Sequence, residues 1–299
     1  MQKKARFESK ILPYALIVPQ LTIIFLFFLW PAFEAIYASF HLSDAFGLEV
    51  KFAGLENFTS LITDRGYLET FGRTAIFSTI TATLSMTVGL ILATVANRAL
   101  AFKKITRTLL IWPYAIAPAM AGILWMFLFH PSYGVIGFFV NHVLQLGWNP
   151  VLNGKHAMAL VIIASSWKNI SYNFIFFLAG LQSIPKSVLE AASIDGASPA
   201  KRFFSIVLPL ISPTFFFLIV MNLVYTFFES FGVIHMTTQG GPGSATTILV
   251  YKVYADGFIG QDLGSSSAQS VIMMLLTIVI TFVQFRFVEK RVHYSGAGS

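Results

Sequence analysis

The chain contains no cysteine, which excludes a disulfide framework, a thiol nucleophile and a thiolate-bound metal. Charge is also scarce. Only 11% of the 299 residues are Asp, Glu, Lys or Arg, against about 25% in a typical soluble domain. An ordinary soluble protein is therefore excluded. The six histidines, His41, His130, His142, His156, His235 and His293, lie far apart in the chain. That spacing argues against a metal centre built from them. No Gly-x-x-x-x-Gly-Lys-Ser/Thr loop is present to cradle ATP phosphates, and no Gly-x-Ser-x-Gly elbow presents a nucleophile. The residues offer no catalytic apparatus, no cofactor site and no energy source within the chain.

What is abundant is apolar surface: 56% hydrophobic residues, 31 Phe and a mean hydropathy of +0.73. With the bilayer as solvent, long apolar runs become membrane-crossing helices. Such runs fall at about 12–40, 70–96, 108–129, 156–181, 206–231 and 268–287. The expected fold is an all-α polytopic membrane protein with six transmembrane helices, forming a single transmembrane domain over 1–299. The first run is longer than the apolar core of about 7–15 residues in a signal peptide. It is expected to be a span, bent at Pro13, Pro19 and Pro31. Pro113 and Pro118 are expected to break the third run. Thr74, Ser78, Thr81 and Ser85 share one face of the second, where small hydroxyl residues favour close helix packing. The tail 295–299 carries no functional expectation.

The net charge of +7 does not point to nucleic acid, because the basic residues flank apolar runs. They gather at the N-terminus (Lys3, Lys4, Arg6, Lys10), in the second connection (Arg98, Lys103, Lys104, Arg107), around 182–205 (Lys186, Lys201, Arg202) and near the C-terminus (Arg286, Lys290, Arg291). The opposite connections hold Lys51, Arg65, Lys155 and Lys252, with acids such as Asp44, Glu49, Glu56, Asp64 and Glu69. By the positive-inside rule both termini and segment 182–205 are expected to face the cytoplasm.

Segment 182–205 is the polar knuckle between the fourth and fifth runs. Pro185 can start a short helix, Glu190-Ala191-Ala192 favours it, and Gly196 can take positive φ at a break. Glu190-Ala191-Ala192, Asp195-Gly196-Ala197, Phe203, Ile206 and Leu208-Pro209 together resemble the EAA loop of binding-protein-dependent ABC importer permeases. The resemblance implies a type I ABC importer permease fold. It also implies that Glu190, Ala191, Ala192, Asp195, Gly196 and Ala197 dock in a cleft of a separate ATPase subunit, with Glu190 the ion-pair partner of a basic residue there. ATP and magnesium would then belong to that partner.

The neighbouring runs carry polar stripes at helical spacing. Ser165, Lys168, Asn169 and Tyr172 form one, and Asn222, Tyr225, Thr226 and Glu229 the other. Charge inside a bilayer is costly unless it lines a polar path or is paired. The stripes therefore point either to a shared substrate pathway or to a structural Lys168–Glu229 pair. In the maltose-type branch of the family, sugar is held by the helix faces on either side of the EAA loop. The resemblance places this chain's stripes at those positions, with Lys168 and Glu229 standing where neutral groups are usual. That favours a charged, hydroxylated ligand.

Further segments, Leu12-Pro13-Tyr14, Trp112-Pro113-Tyr114-Ala115, Trp167 to Phe174 and Gly240-Gly241-Pro242 with Ala245-Thr246-Thr247, resemble the permeases of the sn-glycerol-3-phosphate importers. That likeness implies sn-glycerol-3-phosphate as the substrate, with glycerophosphodiesters a possible extension. It also implies a second homologous permease, an ATPase dimer and a periplasmic binding protein as partners. Tyr251, Tyr254 and Phe258 would meet the binding protein. A permease for a neutral sugar, and a secondary transporter or channel, remain the competing readings. The latter would show inverted repeats and acids buried mid-span, and no convincing repeat is visible.

Overall fold

The computed structural model describes residues 11–43, 50–98 and 103–288. The basic N-terminus with Lys3, Lys4, Arg6 and Lys10, the loop acids Asp44 and Glu49, and residues Lys290, Arg291, His293 and 295–299 lie outside the described residues. So do the side chains of Arg98, Lys103 and Lys104.

The described chain is almost wholly helical. Helix α1 (Leu12–Ser39) leads into a two-strand antiparallel hairpin, β1 (His41–Ser43) and β2 (Val50–Phe52). Then come α2 (Glu56–Thr63), α3 (Arg65–Arg98), α4 (Lys103–Ala115), α5 (Pro118–Phe129), α6 (Val135–His142) and α7 (Gly154–Gln182). The second half holds α8 (Lys186–Ile194), α9 (Pro199–Arg202), α10 (Ser212–Glu229), α11 (Phe231–Thr237), α12 (Leu249–Tyr254) and α13 (Leu263–Val283). Four helices among the described residues are long and apolar enough to cross a bilayer, and two bent pairs bring the number to six.

One bent pair is α4 with α5, which meet at 106°. Ala117 precedes Pro118 and is extended (φ −58°, ψ 143°), because the proline ring disfavours helical geometry in the residue before it. The third apolar run is thus two helices joined at a sharp corner. The other pair is α7 with α8, bent by 68°.

The chain divides into two compact units. In the first, Met1–Asp64 with Val253–Ile272, Asn57 is the clasp. Its Nδ2 donates to the carbonyls of Ser39 and His41, both at 3.0 Å, tying α2 to the end of α1. No residue between Leu12 and Leu29 is buried.

The second unit, Arg65–Lys252 with Met273–Ser299, is built on α3 packed along α7. The Ser/Thr face of α3 is buried at Thr70, Thr74, Ser78, Thr81 and Ser85. Small side chains there let another backbone approach, and Thr74 Oγ1 accepts the amide of Leu249 at 2.9 Å. At Gly89 a Cβ would stand 2.8 Å from Asn173 Cβ, so only glycine admits this crossing. Around it Ala93, Phe174, Phe177, Leu178, Leu181, Ile211 and Leu218 form the apolar core that fixes α7 against α10.

Candidate functional site

The knuckle is rigid for local reasons. Helix α8 ends with Ala197 N donating to Ala192 O at 3.0 Å and Gly196 N donating to Ser193 O at 3.1 Å. This 6→1, 5→2 pair is a Schellman cap, which requires a left-handed residue at its centre. Gly196 supplies it at φ +76°, where an L side chain costs about 1–2 kcal/mol. Ser198 caps α9 by accepting Lys201 N at 3.3 Å, and Pro199 opens that helix. Arg202 Nη1 then donates to Ser193 Oγ at 2.6 Å, bracing α9 against α8. Of the motif residues, Ala192 is buried and Ala197 half-buried, whereas Glu190, Ala191, Asp195 and Gly196 are exposed. Ile194, at 85% exposure, puts an apolar side chain on the same surface. The outcome is a short, stiff helix pair that offers the acidic Glu190 and Asp195 and the apolar Ile194 outward.

The two polar stripes meet across α7 and α10, and they divide into two layers. The inner layer is closed. Asn169 Nδ2 donates to Asn222 Oδ1 at 2.6 Å, and Asn222 Nδ2 donates to Asn173 Oδ1 at 2.9 Å and to Leu218 O at 2.7 Å. Tyr225 OH donates to Ser165 O at 3.4 Å, and Thr226 Oγ1 donates to Leu223 O at 3.1 Å. Ser165, Asn169, Asn222, Tyr225 and Thr226 are all buried. In this conformation they clamp two helices together and reach no open space.

The outer layer is Lys168, Tyr172 and Glu229, joined by Tyr114 from α4. Lys168 Nζ donates to Tyr114 O at 3.2 Å and lies 4.8 Å from the centre of its ring. The Tyr114 and Tyr172 rings pack at a 39° tilt with centres 5.4 Å apart. Glu229 is exposed, and its charge acts on Lys168, Tyr172 and Tyr225. Lys168 makes no ion pair with Glu229 among the described residues; a carbonyl dipole and a ring face hold the ammonium instead. One cation, one carboxylate and two phenols thus stand together at a helix junction, the inventory needed to bind a small anionic polyol.

Sequence reasoning did not single out Asn173 or Tyr114 as members of this cluster. Asn173 lies four residues after Asn169 on the same face, so the stripe could have been extended to it. Tyr114 is 54 residues from Lys168, and no local periodicity connects them. Tyr251, expected on the outer face, is buried and stacks on Phe231 at 6.1 Å, so it is not available to a binding protein. Phe258 is 78% exposed, with Tyr254 stacked on it at 5.5 Å. Among the described residues no group of three or more His, Asp or Glu could hold a metal ion.

The amide clamp has a measurable consequence. Asn222→Leu roughly keeps the side-chain size but strands Asn169 Nδ2 and Asn173 Oδ1, while Asn173 Nδ2 keeps its bond to Asn169 O. A buried polar group left without its partner costs about 1–3 kcal/mol. The variant is expected to melt at a lower temperature in detergent than the parent chain. An unchanged melting point would remove the clamp role.

Up to six candidate membrane spans joined by a short helix pair are the arrangement expected of an ABC importer permease. Residues 85–294 match the family described as "Binding-protein-dependent transport system inner membrane component". The chain belongs to that family and is an inner-membrane component of such a system.

Relatives match over almost the whole chain. The "sn-glycerol-3-phosphate transport system permease protein UgpA" of Brucella abortus biovar 1 (strain 9-941) is 55% identical over 293 residues, covering 98% of this chain and 100% of that protein. The protein of the same name from Rhizobium meliloti (strain 1021) is 54% identical over 288 residues, covering 96% and 98%. In structure the chain is similar to a component of a bacterial alginate ABC transporter in complex with alginate pentasaccharide-bound periplasmic protein. The TM-score is 0.79 at 20% identity, over 93% of this chain and 94% of the other. That similarity is one of fold.

Proposed function

We propose that this chain is one of two permease subunits of an ABC importer for sn-glycerol-3-phosphate. It forms half of the translocation pathway and couples it to a separate ATPase dimer that holds ATP and magnesium. The full-length likeness to permeases named for that substrate carries the reading. The outer cluster supports it: Lys168 can offset phosphate charge, while Tyr114 and Tyr172 can hold its oxygens and the glycerol hydroxyls. In this reading the chain acts as one permease domain with both termini and the knuckle in the cytoplasm.

Loaded binding protein docks on the outer face while ATP closes the ATPase pair. The knuckle, with Glu190, Ala191, Ala192, Asp195, Gly196 and Ala197, passes that closure to α7 and, through the helical turns Phe203–Val207 and Leu208–Leu210, to α10. Relative movement of those two helices opens the seam that holds Ser165, Asn169, Asn222, Tyr225 and Thr226, and ligand passes along it.

The test is ATPase activity of the complex reconstituted in liposomes with its binding protein. Glycerol-3-phosphate is expected to stimulate it and maltose is not. Stimulation by maltose alone would replace the substrate with a neutral sugar. Uptake driven by an ion gradient without the ATPase would move the chain to another transporter class.

A further inference from the structure

At the root of the knuckle lies a cavity of about 270 Å³, walled by Thr94 and Asn97 of α3, Leu189 of α8, and Arg202 with Phe203. Beside it runs a groove of about 620 Å³, walled by Leu90, Ile91, Val95, Phe204 and Phe215. The two spaces share Thr94, Pro199 and Phe203 as walls.

Their chemistries are opposite. The groove is apolar and open, with Phe204 66% and Val95 61% exposed. The cavity is headed by the Arg202 guanidinium. Its Nη1 is taken by Ser193, but its Nε is buried and has no hydrogen-bond partner. A buried donor on a charged group left unmet is costly, so an acceptor oxygen is wanted there. Asn97 offers an amide next to it, and Lys201 adds an exposed positive charge.

Depth selects the occupant. Arg73 is the last charged residue at the outer end of α3, bonded to Glu69 at 3.2 Å and to Ser244 O at 2.8 Å. From Thr74 to Thr94, at ~1.5 Å per residue, the helix rises ~30 Å, about the thickness of the hydrocarbon core. With the knuckle in the cytoplasm, the orientation of the proposed function on which this inference rests, Thr94 falls at the inner boundary, Asn97 and Arg202 at headgroup level, and the groove in the cytoplasmic leaflet. Along α3 the groove extends from Met86 to Val95, or ~13 Å, close to the ~15 Å depth of one leaflet.

We propose that groove and cavity together bind one anionic phospholipid of the cytoplasmic leaflet. An acyl chain lies along α3 between Leu90 and Phe215, and the phosphate meets Arg202 and Asn97. The lipid would thereby be wedged against the helix pair that forms the knuckle.

Native mass spectrometry of the purified permease complex tests this, with phosphatidylglycerol and phosphatidylcholine added in parallel. The wild type is expected to retain phosphatidylglycerol about five-fold better, the preference given by one basic residue near the headgroup. Arg202→Gln is expected to erase the preference. Val95→Trp, which fills the groove outside the knuckle, is expected to remove retention of either lipid, and it carries the test should Arg202→Gln fail to assemble. A benzophenone side chain placed at Val95 is expected to label lipid. The proposal falls if the wild type shows no preference, if an assembled variant behaves like the wild type, or if the benzophenone labels a second permease polypeptide instead.

Discussion

Glu190→Lys is expected to stop substrate uptake while leaving the chain inserted and folded. Glu190 is exposed on α8, makes no side-chain hydrogen bond or ion pair among the described residues, and Lys matches Glu in helix propensity. A surface change of that kind moves stability by no more than about 0.5 kcal/mol. The proposed contact with the ATPase is affected far more. Close charge pairs across an interface couple by about 1.5–7 kcal/mol, and reversal turns attraction into repulsion. Uptake should therefore fall by at least about ten-fold, the equivalent of the low end of that range. Alongside uptake, the melting temperature in detergent and the retention of the ATPase on copurification should be measured. Normal uptake by the mutant would sink the coupling role. Loss of uptake with a collapsed melting point would show only that Glu190 supports the fold.

The second large effect is expected at Lys168. It is the one cation in the outer cluster at the junction of α4, α7 and α10, and only 6% of its surface is exposed. A hydrogen bond to a charged group contributes about 1.5–3 kcal/mol. Lys168→Ala should thus slow glycerol-3-phosphate transport by about 10- to 100-fold at saturating loaded binding protein. Lys168→Arg keeps the charge and should recover part of the rate, although a planar guanidinium does not reproduce a compact ammonium. The competing reading is structural, since Lys168 also ties α7 to the corner between α4 and α5 through Tyr114. In that case Lys168→Ala would lower the melting temperature and would slow a neutral ligand as much as a phosphorylated one. Equal loss for both ligands returns Lys168 to the role of a strut.

The knuckle and the stripes differ in how far they could be read from the residues. Everything that shapes the knuckle lies within a dozen positions: the helix-favouring Glu190-Ala191-Ala192, the glycine that a Schellman cap demands, the Ser198 cap and Pro199. The break after Ala115 is similarly local, because Pro118 constrains Ala117 whatever surrounds it. The stripes on α7 and α10 were visible as periodicity, and they do face each other. Their division into a closed amide seam and a charged cluster around the buried Lys168 was not visible. Asn169 and Asn222, expected along a pathway, are consumed by each other and by Asn173 in this conformation. Glu229, the obvious partner for Lys168, gives way to a backbone carbonyl and a phenol ring from another helix.

By itself, then, the sequence determined the apolar spans, the short helix pair of the knuckle and the faces that carry polar groups. These follow from hydrophobic period, proline and glycine dihedrals and short-range hydrogen bonds, all of which act within a few residues. Only the tertiary structure decided which polar groups are satisfied inside the helix packing and where the Arg202 cavity adjoins an apolar groove. Those outcomes depend on contacts between residues some fifty positions apart or more, such as Tyr114 with Lys168 and Asn169 with Asn222. In hydrocarbon each polar group must find its partner within the protein, and packing of the helices settles which one is within reach.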